Sequence, residues 1–125
     1  MFQNLDVFRT AMAMARHAGL QQAYSAQNIA NADTPGYRAK AVPEFTSTLR
    51  QSMMGQRATR AEHLNGMIGR QVDEVERDNV VDPNGNSVSL EEEMVYAVEA
   101  KRAHDRALAI YRSNLNILRT SLGRR

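Results

Sequence analysis

The first thirty residues carry a heptad pattern, in which one face of a helix returns after three and then four residues. The positions are Leu5, Phe8, Met12, Ala15, Gly19, Gln22, Ala26 and Ile29. Small residues at the centre of this series favour close packing against a second helix. The helix is expected to end before Pro35, because the residue preceding a proline is pushed toward an extended backbone. The pattern therefore predicts an N-terminal helix within residues 1–33.

A second heptad series runs through the last third of the chain. Its positions are Leu90, Met94, Ala97, Lys101, His104, Leu108, Tyr111, Leu115, Leu118 and Leu122. Ser89 with Glu92 predicts a capping box at the helix start, and Gly123 predicts the helix end. Residues 87–125 are therefore expected to hold a C-terminal helix about 50 Å long.

The segment between the two helices, residues 34–86, is polar and interrupted by glycine and proline. Thr34-Pro35-Gly36-Tyr37 matches a type II turn, in which proline sets the first central φ and glycine takes the positive one. Asp82-Pro83-Asn84-Gly85-Asn86 is a second turn signal, and Met67–Val75 fits either a short strand or an amphipathic turn. The predicted fold is mainly α. Two long terminal helices form an antiparallel coiled-coil hairpin around an irregular, extended and mobile middle segment, with some β-structure as an alternative there.

Charge is unevenly distributed along the chain, although the net value is only +2. Residues 1–32 hold three charged side chains, Asp6, Arg9 and Arg16. A surface helix normally keeps a charged face toward water, so this sparse charge favours a first helix surrounded by protein. The alternative is a polar, alanine-rich helix that faces solvent.

The sequence shows no cluster of residues suited to catalysis or metal binding. The absence of cysteine removes disulfides, thiolate nucleophiles and thiolate metal ligands. The three histidines lie in different segments, and no glycine-rich phosphate loop, long apolar run or cleavable signal pattern occurs. We therefore expect no enzyme, cofactor, metal site or small-molecule substrate. The scattered basic residues argue against a nucleic-acid partner.

Residues 28–39 form a more specific motif. The string is Asn28-Ile29-Ala30-Asn31-Ala32-Asp33-Thr34-Pro35-Gly36-Tyr37-Arg38-Ala39. It closely resembles the signature of the bacterial flagellar rod and hook protein family, with Asn28, Ile29, Ala30, Asn31, Thr34, Pro35, Gly36 and Tyr37 as the signature and turn residues. Residues 84–94 and 118–123 are similar to the same family, and the chain length agrees best with a proximal rod protein. Asn28 and Asn31 are expected to satisfy backbone groups at the helix end.

The resemblance implies a structural subunit. Proteins of this kind pass through the flagellar type III export apparatus without a cleaved signal. They then assemble helically into the basal-body rod, in the periplasm next to the inner membrane. The implied partners are copies of the same chain, other rod proteins such as FlgC, the FliE junction protein with the MS ring, and the flagellar export gate.

The heptad positions are expected to serve as the seam through which the hairpin packs and assembles. They are Leu5, Phe8, Met12, Ala15, Ala26, Ile29, Leu90, Met94, Leu108, Tyr111, Leu115, Leu118 and Leu122. A lone two-helix hairpin buries little apolar surface relative to the entropy of ordering it. We therefore expect the free monomer to be partly unfolded and to gain structure on assembly.

A second hypothesis concerns export. The resemblance implies a Phe-x-x-x-apolar segment read by the export gate, and the chain offers two candidates. We favour Phe45 to Leu49 over Phe8 to Met12, because the latter residues also belong to the heptad seam.

Other interpretations of the same periodicities stay open. Within the family, another proximal rod protein is the nearest alternative. A soluble helical-hairpin adaptor or secretion chaperone would show the same heptads but would not need the motif at residues 28–39. An amphipathic helix on the inner membrane is a weaker alternative, because the first helix has few basic residues.

Overall fold

The computed structural model of the protein describes residues 2–54 and 74–123, with side chains described over residues 6–49 and 74–123. This part of the chain is mainly helical. Its elements in chain order are α1 (Phe2–Ala30), β1 (Lys40–Ala41), α2 (Phe45–Met54), β2 (Val75–Glu76) and α3 (Leu90–Ser121). The two long terminal helices, of 29 and 32 residues, pack against each other.

Contacts at the two ends of the helix pair show that α1 and α3 run antiparallel. Near the start of α1, the ring of Phe8 packs edge-on against Tyr111, which lies near the end of α3, with centroids 5.1 Å apart. Near the end of α1, Ser25 and Asn28 donate hydrogen bonds to Glu93 in the first turn of α3.

Alanine occupies the centre of the interface between α1 and α3. Ala11 and Ala18 on α1, and Ala100 and Ala107 on α3, are at most 3% exposed. Each pair is separated by seven residues, and a heptad of small side chains lets helix backbones approach closely. The interface therefore follows a heptad, but its central side chains bury little apolar surface.

The buried line lies one residue before the predicted heptad on both helices. Met12 and Met94 are 43% and 60% exposed, whereas Ala11 and Glu93, one residue earlier, are buried. One residue turns an α-helix by about 100°, so this offset moves a side chain from the interface to its flank. Ala26, Ile29, Leu90 and Leu122 are also exposed.

For these exposed residues the prediction of packing inside the hairpin is wrong, because small and polar side chains occupy the interface instead. Six other predicted seam residues are half-buried beside the interface, namely Phe8, Ala15, Leu108, Tyr111, Leu115 and Leu118. The side chain of Leu5 lies outside the described residues. The role of the series in assembly stays a prediction.

Local signals at the ends of α3 match the prediction, except that the capping box is only half formed. Ser89 is the N-cap, and its Oγ accepts from the backbone N–H of Glu92 at 3.4 Å. The Glu92 carboxylate does not complete a reciprocal capping box in the described contacts, since it accepts from Asn79 Nδ2 at 3.2 Å. Gly123 follows the helix with a φ of 69°, as a glycine stop requires.

Short elements of the middle segment lie against α1. The strands pair antiparallel, with Lys40 opposite Glu76 and Ala41 opposite Val75. Pro43 connects β1 to α1, because its carbonyl accepts from Nε2 of the buried His17 at 2.6 Å. Of the predicted Met67–Val75 element, residues 67–73 lie outside the described residues.

The described residues bury few apolar side chains completely. The buried apolar set is Ala11, Ala18, Ala39, Val42, Ala100 and Ala107. The largest fully buried side chains are polar: Glu93, Asn28, Asn86, Ser25 and Ser87. None of the described helices combines the length and apolar character needed to cross a membrane.

Candidate functional site

The segment that leaves α1 makes the predicted type II turn. The backbone N–H of Tyr37 donates to the Thr34 carbonyl at 3.3 Å, and Gly36 has a φ of 73°. A Cβ built on Gly36 would meet no atom within 4 Å. Glycine is therefore favoured here by its backbone conformation rather than by crowding.

The predicted turn at residues 82–86 docks against this first turn. Gly85 has a φ of 82°, and its N–H donates to the Asp82 carbonyl at 2.8 Å. The N–H of Gly36 donates to the Asn84 carbonyl at 3.1 Å, and a Cβ on Gly85 would lie 3.3 Å from the Gly36 Cα. The two motifs that resemble the rod and hook family are thus in direct contact.

Asn86 connects the second turn to the end of α1. Its Nδ2 lies 2.7 to 3.0 Å from the carbonyl oxygens of Asn31, Ala32 and Thr34. Helix ends leave carbonyl groups without partners inside the helix, and this side chain supplies donors to the residues that follow α1. Its Oδ1 accepts from the N–H of Val88 at 2.7 Å, so Asn86 also shapes the approach to α3.

Asn28 uses its whole hydrogen-bonding capacity where the end of α1, the turn after it, β1 and the start of α3 meet, and we call this meeting point the junction. Its Nδ2 donates to the Lys40 carbonyl at 2.8 Å and to Glu93 Oε1 at 2.9 Å. Its Oδ1 accepts from the Lys40 N–H at 3.0 Å and from the Tyr37 hydroxyl at 3.1 Å. The side chain is fully buried, where unpaired polar atoms cost free energy, and it joins α1, the first turn, β1 and α3.

Glu93 supplies a fully buried carboxylate to the same junction. Its Oε2 accepts from Ser25 Oγ at 2.9 Å, and its Oε1 accepts from Arg77 Nη1 at 2.6 Å as well as from Asn28. The Arg77 guanidinium also lies 3.7 Å from the ring centroid of Tyr96. A buried carboxylate is tolerated when it is paired and hydrogen-bonded, and these donors meet that need.

Two titratable groups border the junction. Burial raises the pKa of the Tyr37 phenol above its ordinary value of 10.0, although the nearby Lys40 ammonium lowers it. The pKa of the Lys40 amine is also raised, chiefly by its hydrogen bonds to Glu74. Lys40 Nζ lies 3.2 Å from each carboxylate oxygen of Glu74.

The signature residues predicted from sequence divide into two groups. The first group makes hydrogen bonds in the junction or in the turn, and its members are Asn28, Asn31, Thr34, Gly36 and Tyr37. Asn31 Nδ2, for example, donates to the Gln27 carbonyl at 2.8 Å. Ile29, Ala30 and Pro35 are exposed in the single chain.

Sequence reasoning missed Ser25, Arg77 and Glu93 as parts of one junction, and it missed the buried Ser87, whose Oγ accepts from the Ala39 N–H at 2.8 Å. Glu93 lies in a run of three glutamates at the start of α3. It shares a seven-residue series with Ala100 and Ala107, and this series could have indicated that it faces α1. The series can be identified as the buried one only when the rotation of α3 about its axis is known.

Some of the predicted seam residues line a groove between α1 and α3, and others are exposed at the start of α3. Phe8, Met12, Tyr111, Leu115 and Leu118 line a groove of about 610 Å³ between α1 and α3, together with Arg9, Ala13 and Arg16. At the opposite end of α3, Leu90 and Met94 are exposed, as are Val95 and Val98.

Phe45 begins α2 with its ring edge-on to His17, and Leu49 lies one turn further along. Over the described residues, no group of three or more His, Cys, Asp or Glu side chains is placed to hold a metal ion.

Comparison with known proteins indicates the family of the chain. No protein-family model matches the chain. The chain is similar to the flagellar basal body rod protein FlgB of Agrobacterium fabrum strain C58, with 33% identity over 119 residues. The match covers 89% of this chain and 88% of that relative.

Proposed function

Because this chain belongs to the family of the flagellar basal body rod protein FlgB, we propose that it is a structural subunit of the proximal rod of the flagellum. Its similarity to the relative along 89% of the chain carries this proposal. The role is mechanical rather than catalytic. The protein supplies a rigid helical element to a rod, and other copies and other rod proteins complete the assembly.

The buried junction supports a mechanical role. Asn86 joins the turn after α1 to the turn before α3. Asn28 and Glu93 connect these turns to the helix pair. These hydrogen bonds fix the direction in which the chain leaves α1 and enters α3. Since subunits of a helical assembly repeat one geometry, a fixed exit direction keeps their contacts identical.

The terminal helices are proposed to form a coiled-coil hairpin that contacts neighbouring subunits. Support comes from apolar side chains that the single chain leaves exposed on predicted seam positions. These are Met12, Ile29, Leu90, Met94 and Leu122. Apolar side chains that are exposed side by side, as Leu90 and Met94 are one turn apart on α3, are typical of surfaces that become covered in an assembly.

Export is the second part of the proposal. The protein is proposed to leave the cytoplasm through the flagellar type III system and to assemble in the periplasm next to the inner membrane. Its proposed neighbours are FlgC, the FliE junction protein with the MS ring, and the export gate. An interface of alanine and polar side chains supports this route, because little apolar surface must be exposed to unfold the hairpin for passage.

A complementation experiment tests the function. The chain, carrying a short tag, replaces the corresponding rod protein in a motile flagellated bacterium, and basal bodies are isolated for cryo-electron microscopy. We expect restored swimming and density for this chain at the inner end of the rod. A chain that stays in the cytoplasm as a folded dimer would instead support the adaptor or chaperone alternative, and density elsewhere in the rod would support another rod position.

A further inference from the structure

The groove between the start of α1 and the end of α3 has an apolar floor and a basic border. Phe8, Met12, Tyr111, Leu115 and Leu118 form the floor, and Arg9 and Arg16 lie along the α1 side. Arg112 and Arg119 are exposed on α3 three residues before and four residues after Leu115, which places them on its side of the helix. Residues 108–123 contain no acidic side chain.

The first three turns of α3 carry the opposite combination. Leu90, Met94, Val95 and Val98 are between 47% and 60% exposed. We call these four residues the α3 patch. Glu91 lies among them, Glu92 and Glu99 are exposed beside them, and residues 90–100 contain no basic side chain. The patch is therefore apolar with an acidic border.

The α3 patch cannot occupy the groove of its own chain. Met94 and Leu115 are 21 positions apart on one helix, a distance of about 32 Å at 1.5 Å per residue. The two surfaces nevertheless match in length. The α1 side of the groove spans residues 8–16 and the patch spans residues 90–98, each about 12 Å of helix.

We propose that the α3 patch of one copy docks in the groove of the next copy, with Glu91 and Glu92 facing Arg9 and Arg16. This inference rests on the proposed rod function and specifies the contact that propagates the rod. The contact joins two different surfaces, so it is heterologous and extends from copy to copy instead of closing as a symmetric dimer must. Complementary charge fixes the register of two apolar surfaces that would otherwise slide.

Cysteine cross-linking tests the contact directly, because the natural chain contains no cysteine. A Met12→Cys, Met94→Cys double variant is expressed in the complemented bacterium, and rods are isolated and oxidised. We expect a ladder of cross-linked multimers. Co-expression of the two single variants is expected to give dimers that join position 12 of one chain to position 94 of another, identified by mass spectrometry of the linked peptides.

A control pair keeps the cross-link specific. Met12→Cys is combined with Ile117→Cys, because Ile117 is also an exposed apolar residue of α3, 58% exposed, but lies outside the patch. We expect this pair to cross-link at least about fivefold less. Equal yields for the two pairs would overturn the proposal.

Charge reversal provides a second test that does not require cysteines in the apolar floor. Arg16→Glu in the purified full chain is expected to weaken self-association about tenfold in sedimentation at low salt, and Glu91→Arg in the same chain should restore most of it. Absence of restoration would contradict the proposed pairing.

The two proposals fail in different ways. If rods contain the chain but position 12 never joins position 94, the rod function stands and the contact is wrong. If the chain does not enter rods, the rod function fails, and sedimentation of the purified variants decides the contact alone.

Discussion

Asn28 on α1 and Glu93 on α3 lie 65 residues apart in the chain and are joined by a hydrogen bond of 2.9 Å, with both side chains fully buried. This bond connects the motif after the first helix to the start of the last one. The surrounding interface is built mainly from alanine, which buries little surface. The polar junction therefore holds the end of α1 against the start of α3.

Removing the Glu93 carboxylate is expected to destabilise the folded chain. Glu93→Ala leaves Arg77, Asn28 and Ser25 without their shared acceptor, and breaking a buried charged pair typically costs about 3 kcal/mol. Urea unfolding followed by circular dichroism measures the change. Glu92→Ala is the control, because Glu92 is exposed. Equal unfolding midpoints for the two variants would contradict a structural role for the junction.

The turn after α1 is expected to require a residue that accepts positive φ. Gly36→Val places a β-branched side chain at a φ of 73° and should cost about 2 kcal/mol, since this conformation disfavours L-residues. Gly36→Asn should cost less, because asparagine tolerates that conformation. Open space around the position makes the comparison purely conformational. Unfolding midpoints and swimming assays check it, and full motility with Gly36→Val would show that the turn is not essential.

Stability is expected to fall at alkaline pH partly through Tyr37. Burial raises the pKa of its phenol on folding, so the folded chain retains the proton more strongly than the unfolded chain. The resulting contribution is complete below about pH 10 and is lost as pH rises through the folded pKa. The raised pKa of Lys40 acts in the same direction at higher pH.

Comparison of Tyr37→Phe with the natural chain isolates this contribution. The variant loses one hydrogen bond at every pH, so it should be less stable near neutrality but should lose less additional stability between about pH 9 and pH 11. Urea midpoints across that range measure both slopes. Identical slopes would assign the alkaline loss to other groups.

Free monomer is expected to contain less helix than the assembled subunit. Completely buried apolar side chains among the described residues are limited to five alanines and one valine, which leaves little to offset the entropy of ordering long helices. Circular dichroism of the purified monomer checks this expectation. A cooperative melt from the full helix content of α1 and α3, before any assembly, would rule out coupled folding and assembly.

Phe45 is expected to contribute to export more than to folding. Phe45→Ala should reduce secretion through the flagellar system while leaving the circular dichroism of the monomer nearly unchanged. Phe8→Ala is the matched control, because Phe8 begins the other Phe-x-x-x-apolar segment and packs on Tyr111. Normal secretion of Phe45→Ala would argue against this segment as the one that the export gate reads.

Much of the fold follows from local signals. Ser89 and Gly123 mark the ends of α3, and Pro35 with Gly36 defines the turn after α1, because each depends on neighbouring residues in the chain. The heptad spacing also indicated two long helices. It did not indicate which residues face each other, because the pattern was traced through Met12, Ile29 and Met94, whereas Ala11, Asn28 and Glu93 occupy the interface.

The amino-acid sequence by itself determined the positions of the two terminal helices, the two glycine turns and the family motif. Tertiary structure decided the rotation of each helix and the grouping of Asn28, Arg77, Asn86 and Glu93 in one junction. The physical reason is that alanine and polar residues produce no strong periodic signal. A buried amide or carboxylate becomes favourable only when partners from distant segments satisfy it. Those partners meet only in the folded chain.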